Sequence, residues 1–266
     1  MTDVSIIRTL AELEVNGQAG VLCTIIETRG STPRHQGSKM LVFADGSFIG
    51  TVGGGEVENR VHREAMQALR DGKSRVLRYN MVDPQKGDPG VCGGTLEVYV
   101  EPYLPQPLLV VIGGGHVGKA VVHLAHWLGF RVAVVDDRVE FCNKEANPDA
   151  DLFYPVTMAE LPEHLQITPY TYLVLTTRGS AVDIDGLPAL LNTPAAYIGV
   201  IGSKRRWLTT RNALRDNGIS EEALARVVSP MGLELNAETP EEIAVSILSE
   251  IIMQRNAGSG KRMDID

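Results

Sequence analysis

The chain has 266 residues, with 25 Lys and Arg against 33 Asp and Glu, for a formal net charge of -8. That balance excludes a partner held mainly by a basic patch, such as duplex nucleic acid or an anionic membrane surface. Hydrophobic residues at 44% and charged residues at 22% are in the range of folded globular proteins, and no run approaches the ~18 apolar residues of a membrane span.

The opening "MTDVSIIRTLAELEVNG" lacks a basic region followed by a long apolar stretch, which predicts a cytoplasmic protein. Cys23, Cys92 and Cys142 are odd in number, widely spaced and without a C-x-x-C pair, so neither a disulfide framework nor a zinc motif is expected.

Residues from about 2 to 16 predict a short amphipathic helix, because Ile6, Ile7, Leu10 and Leu13 recur at spacings of three and four. "GVLCTIIET" follows as a strand with Cys23 inside its apolar run, which reads as a small core residue. After the loop "RGSTPRHQGS" come a strand at "KMLVF", an Asp-Gly turn at Asp45 and Gly46, a short strand and a helix. "SRVLRYNM" and "TLEVYVEPY" alternate as two more strands, and "LPQP", with two prolines, marks a linker at Leu104 to Pro107.

Beyond the linker, "PLLVVIGGGHVGKAVVHLAHWLGFRVAVVDDR" reads as strand, glycine turn, helix of about four turns and strand. "TYLVLTTRG" and "AAYIGVIGS" add two buried-type strands, giving an open, mainly parallel sheet. "NAETPEEIAVSILSEIIMQRN" starts a helix strongly: Thr239 as N-cap, Pro240 at the first position and Glu242 closing a capping box, ahead of a stripe of Ile243, Ile247, Leu248, Ile251 and Ile252. The expected fold is therefore α/β, with a smaller N-terminal α+β domain over 1–104, a C-terminal Rossmann-like parallel sheet over 108–256, and a frayed tail over 257–266.

Gly113, Gly115 and Gly118 fit G-x-G-x-x-G between a strand and a helix, where backbone can approach a pyrophosphate, and Asp136 ends the next strand, where a carboxylate meets a ribose hydroxyl. The same glycines could serve strand-to-helix packing alone. Arg138 could favour a 2′-phosphate or stand on the surface. His116, His123 and His126 permit a metal reading but have no acidic or cysteine partner in sequence, and read as solvated or packing histidines, His116 excepted for its place in the glycine turn.

In the first half, "GSTPRHQGSKM" offers Ser31, Arg34, His35 and Lys39, and "TVGGGEVE" offers Gly53, Gly54 and Gly55 ahead of Glu56 and Glu58. Successive glycine amides can cradle an anion, and arginine can clamp an oxyanion with two bonds. A third loop, "GVCGG", flanks Cys92 with Gly90, Gly93 and Gly94, leaving room at the thiol. Together the three loops suggest one site for an anionic ligand bearing metal or sulfur. "IGVIGSKRRW" adds Ser203, Lys204, Arg205 and Arg206 after a buried strand, as a second anion site or a solvated basic turn, and Gly232 with the start of the Thr239 helix is a further anion candidate.

These segments, with "CGGTLEVYVEP", "IGVIGSKRR" and "SPMGLELNAETPEEIAVSILSEII", resemble in order the xanthine dehydrogenase accessory factors of the XdhC/CoxI type, over nearly the whole chain. The resemblance implies a maturation factor rather than an enzyme. It would bind the molybdenum cofactor, as molybdopterin or its dinucleotide form, support its sulfuration and help insert it into a molybdenum hydroxylase of the xanthine dehydrogenase type. The family's functional positions fall on Cys92, Arg34, Gly53, Gly54, Gly55, Gly113, Gly115 and Gly118. Some members carry "GGC" where this chain has Gly53 to Gly55, which leaves Cys92 alone; Cys142 falls where the pattern asks for no cysteine.

The expected arrangement has the pterin between the two domains. Cys92 would ligate or guard the molybdenum, or relay sulfur from a cysteine desulfurase partner, and a homodimer is expected. The competing reading is an NAD(P)-dependent oxidoreductase built on Gly113, Gly115, Gly118 and Asp136, with His116 or Lys204 as acid/base. A nucleotide-sensing scaffold is the third.

Overall fold

A computed structural model describes residues 3–81, 89 and 92–263. The chain divides into two compact units, Met1–Pro105 and Gln106–Asp266.

The first unit is a five-stranded antiparallel sheet between two helices. Helix α1 (Asp3–Val15) precedes β1 (Gly20–Arg29), β2 (Lys39–Phe43) and β3 (Phe48–Gly50); α2 (Gly55–Asp71) and the hairpin β4 (Arg75–Asn80) and β5 (Thr95–Tyr103) complete it in the order β3-β2-β1-β5-β4. Alternation along the strands sorts the side chains onto two faces. Val21, Cys23, Ile25, Met40, Val42, Leu96, Val98 and Val100 meet Val57, Val61, Ala65 and Ala68 of α2, while Leu22 and Leu41 meet Ile6 and Leu13 of α1. Burial pushes the Cys23 thiol up to about 12, so it stays protonated as a core group.

The second unit is a six-stranded, wholly parallel sheet. Its elements are β6 (Leu108–Ile112), α3 (His116–Trp127), β7 (Arg131–Val135), β8 (Leu152–Tyr154), α4 (Leu161–His164), β9 (Thr171–Leu175), α5 (Ser180–Leu191), β10 (Tyr197–Val200), α6 (Lys204–Asp216), α7 (Glu221–Leu224), β11 (Val227–Val228) and α8 (Pro240–Arg255). The strand order β11-β10-β9-β6-β7-β8 reverses between β6 and β9, the doubly wound pattern that opens a crevice at the strands' carboxyl ends.

Both sheet faces are covered, which is why its strands read as continuous apolar runs. Val121, Val122 and Ala125 of α3 pack with Ile247, Leu248 and Ile251 of α8 on one side, and Leu187, Leu190, Leu191 and Leu214 of α5 and α6 on the other. Helix α3 is 12 residues long, a little over three turns. Cys142 is buried and donates to the Val134 carbonyl at 3.3 Å, a core role. No helix among the described residues is long and apolar enough to cross a membrane.

Candidate functional site

Three glycine loops converge at one end of the first unit's sheet, and the backbone explains why. Strand β1 loses register with β5 between Ile25 and Glu27, and such a bulge re-aims the chain beside it. The segment 30–38 folds back there: Gly37 donates to the Ile25 carbonyl at 2.9 Å, Ile25 donates to Ser38 at 3.0 Å, and the Gln36 amide reaches the Ile26 carbonyl at 2.7 Å.

Its first half is wedged against the cysteine loop. A Cβ on Gly94 would lie 2.2 Å from the Ser31 carbonyl oxygen, and one on Gly30 would lie 3.1 Å from the Gly94 Cα. The same segment touches the third loop, since a Cβ on Gly53 would lie 3.0 Å from the Pro33 ring. Gly94 is thus required by close approach and Gly53 by its φ of 144° beside a tight contact, whereas Gly54, Gly55 and Gly93 face open space with φ of 73°, 57° and 81°.

Cys92 is exposed and unpaired in the loop that joins β4 to β5, where Gly93 donates to Met81 at 2.7 Å and Met81 donates to Gly94 at 2.9 Å. Gly90, its predicted neighbour on the other side, and Val91 lie outside the described residues. Gly54 is the N-cap of α2 and has no side-chain cap, so first-turn N–H groups remain for an anion. Arg34 is exposed, with no ion-pair partner among the described residues. Glu58 is used internally: its carboxylate accepts from the Thr51 hydroxyl at 2.5 Å and the Val52 N–H at 3.3 Å, bracing the turn that enters α2.

In the second unit the glycine fingerprint separates by role. A Cβ on Gly113 would meet the Thr176 carbonyl at 2.6 Å, one on Gly114 the Phe141 carbonyl at 2.3 Å, and one on Gly118 the Gly113 carbonyl at 2.0 Å. These three serve packing. Gly115, the uncapped N-cap of α3, meets nothing within 4 Å, so its missing side chain leaves space for a ligand.

Next to Gly113 lies a crevice of about 350 Å³, lined by the charged Asp136, Asp137, Arg138 and Arg178 and by the apolar Val156, Met158, Ala181 and Val182. The size and the mixed lining suit a small-molecule site. Asp136 is 5% exposed; it accepts from the Gly114 N–H at 2.9 Å and from Arg138 through its backbone N–H, Nε and Nη2 at 2.9–3.0 Å. Arg138 also covers the Phe141 ring at 4.1 Å. The Arg178 guanidinium grips Asp137 with two bonds of 2.8 and 2.9 Å and holds its carboxyl below the usual range.

The remaining sequence candidates sit elsewhere. Ser203 is the N-cap of α6 and accepts from the Arg206 N–H, and Lys204 is exposed at the first helical position. His116 is exposed and faces the groove between α3 and α8 with Lys119 and Glu241. Neither His116 nor Lys204 lines the crevice. His123 bonds Asp149 at 2.8 Å, and no group of three or more metal-ligating side chains occurs among the described residues. Gly232 is a packing glycine whose Cβ would strike the Ser246 hydroxyl at 2.4 Å, and its N–H donates to Glu250.

Arg206 is the residue sequence reasoning left in a basic turn. It reaches the Thr177 hydroxyl and Asp183 at 2.7 Å each, and Thr177 also donates to the fully buried Asp183. No spacing signal links residues 23 and 29 apart on two helices and a loop.

Residues 109–251 match the XdhC Rossmann domain, and residues 14–80 match the XdhC and CoxI family. The chain belongs to the XdhC and CoxI family. It is 37% identical over 264 residues to the uncharacterized protein YqeB of Escherichia coli, covering 98% of this chain and 48% of that one. It is 30% identical over 161 residues to a Bacillus subtilis protein described as a probable xanthine dehydrogenase component, covering 60% and 47%. This XdhC-type chain therefore spans about half the length of those two relatives. The molybdenum cofactor insertion chaperone PaoD of Escherichia coli is 26% identical over 94% of this chain and 88% of its own. A crystal structure from Bacillus halodurans described as a xanthine dehydrogenase shares the fold, with TM-score 0.52 and 24% identity over 99% and 98% of the two chains.

Proposed function

We propose that this protein is a molybdenum cofactor-binding maturation factor, which supports sulfuration of the cofactor and its insertion into a hydroxylase of the xanthine dehydrogenase type. The observation that carries this reading is the convergence of the "GSTPR", "VGGGEVE" and "CGG" loops around an exposed thiol. Family membership and the relative named as a cofactor insertion chaperone support it.

The residues present fit the group. Open glycine amides at Gly54, Gly55 and Gly93, an uncapped helix start and the exposed Arg34 side chain would take up anionic oxygens. The described residues hold no cluster of protein metal ligands, which fits a metal that arrives with its own sulfur ligands and needs one thiol at most. When bound, the cofactor would supply the molybdenum centre whose terminal ligand is exchanged. Cys92 would guard that centre or relay sulfur from a cysteine desulfurase; Gly115 and the crevice beside it would take the nucleotide part of a dinucleotide form, or NAD(P). A homodimer would use an edge such as β4, where Val76 is exposed.

Purification of the protein and of Cys92→Ala from cells making the cofactor, followed by molybdenum and pterin measurement, tests the thiol's part. Loss of most of the metal in the variant is expected. Equal retention would remove Cys92 from the site.

A further inference from the structure

Two carboxylates stand at the carboxyl end of β7, where a doubly wound nucleotide site uses one to meet the ribose. The structure separates them. Asp136 is committed within the protein: one oxygen ties down the Gly114 N–H and both are clasped by Arg138, leaving it 5% exposed. Asp137 has a side chain 41% exposed, lines the crevice and is held by Arg178, whose own side chain is 49% exposed.

We propose that the crevice binds a nucleoside diphosphate with a free ribose 2′,3′-diol, that Asp137 rather than Asp136 takes the diol, and that Arg178 is a latch the ribose displaces. This rests on reading the glycine loop as a nucleotide site. The diphosphate lies at the α3 N-terminus, in the space left by Gly115. The base lies against Val156, Met158, Ala181 and Val182.

The chemistry favours exchange at Asp137. A carboxylate offers two oxygens to two hydroxyls, and the ion pair it gives up is a solvent-exposed one, the weak kind. A 2′-phosphate is disfavoured, because it would meet the Asp137 charge while Arg138 is neutralised on Asp136. NAD and a pterin dinucleotide would each present a nucleoside diphosphate with a free ribose diol to this site.

Calorimetry on the full chain with ADP, 2′-deoxy-ADP, CDP, GDP, NAD+ and NADP+ tests the assignment. Binding of at least one ribonucleoside diphosphate is expected, with 2′-deoxy-ADP about tenfold weaker than ADP and NADP+ about tenfold weaker than NAD+, the size of one lost bond to a charged group. Asp137→Asn should erase the preference for ADP over its deoxy form, and Arg178→Ala should tighten ADP binding. A preference for ADP and NAD+ would assign the natural ligand to the nicotinamide class, and one for CDP or GDP to the pterin dinucleotides; either supports the proposal.

Equal binding of ADP and 2′-deoxy-ADP by the unmodified protein overturns the diol assignment and leaves the glycine-loop reading standing. Weaker binding by Arg178→Ala overturns the latch, and no binding of any probe overturns both readings. Molybdenum retention in the same preparation reports separately on the maturation function.

Discussion

Single atoms decide what the glycines and cysteines do. Gly118 and Gly115 belong to one motif, yet a methyl on Gly118 would sit 2.0 Å from a carbonyl oxygen and one on Gly115 would meet nothing. Gly118→Ala should therefore cost ~2–3 kcal/mol in denaturant unfolding, as an overpacked buried site does. Gly115→Ala, at φ -70°, should cost less than about 1 kcal/mol while abolishing nucleotide binding, since its methyl fills the ligand's space. Equal losses of stability would refute the division. The thiols divide similarly: Cys92 is exposed, Cys142 is buried, and Cys23 is buried with its pKa pushed to about 12. Because the thiolate is the reactive form, iodoacetamide at pH 8 should add one label to the folded chain, located at Cys92 by peptide mass spectrometry. Labelling of Cys23 at a comparable rate would contradict the core assignment. These contrasts were legible in sequence from flanking residues, glycines around Cys92 and an apolar run around Cys23. The Asp136–Arg138 clasp and the Asp137–Arg178 latch were not, because adjacent aspartates look alike until the fold chooses each one's partner.

At the scale of elements, local chemistry was readable wherever it was self-contained. Thr239, Pro240 and Glu242 form the full capping box expected of α8, with Thr239 accepting from the Glu242 N–H at 3.2 Å and Glu242 from the Thr239 N–H at 3.1 Å. Strands β8 and β11, of three and two residues, are too short to show a period and exist only through their neighbours in the sheet. The same limit hid the junction of β9, α5 and α6, where Arg206 is pinned between Thr177 and a fully buried Asp183. Removing one member strands the other's charge, so Asp183→Asn should destabilise the second unit by about 3 kcal/mol, within the range for broken buried pairs. Thr239→Ala, at a partly exposed helix start, should cost about 1 kcal/mol. Reversing that order in urea unfolding would show that the Arg206 junction contributes little.

On the scale of the whole molecule, each unit closes its own core. Apolar side chains of β1, β2 and β5 are covered by α1 and α2 within Met1–Pro105, and both faces of the parallel sheet are covered by helices within Gln106–Asp266. The prolines of "LPQP" mark where one set of apolar periods ends and the other begins, which is why the two-part organisation could be read before any coordinates. What the sequence could not show is that each candidate site is assembled from one unit's own loops: the thiol site from residues 29–34, 51–58 and 92–94, the crevice from residues 112–113, 135–138, 156–159 and 177–186. A unit with its own core and its own site should fold alone. The fragment Gln106–Asp266 should therefore melt cooperatively and keep the nucleotide affinity of the full chain within about threefold, a span of ~0.6 kcal/mol. Met1–Pro105 should melt separately and retain an alkylatable Cys92. A second-unit fragment that folds but no longer binds nucleotide would show that the first unit supplies part of the crevice's ligand contacts, and one that fails to fold would show that its core is incomplete without the first.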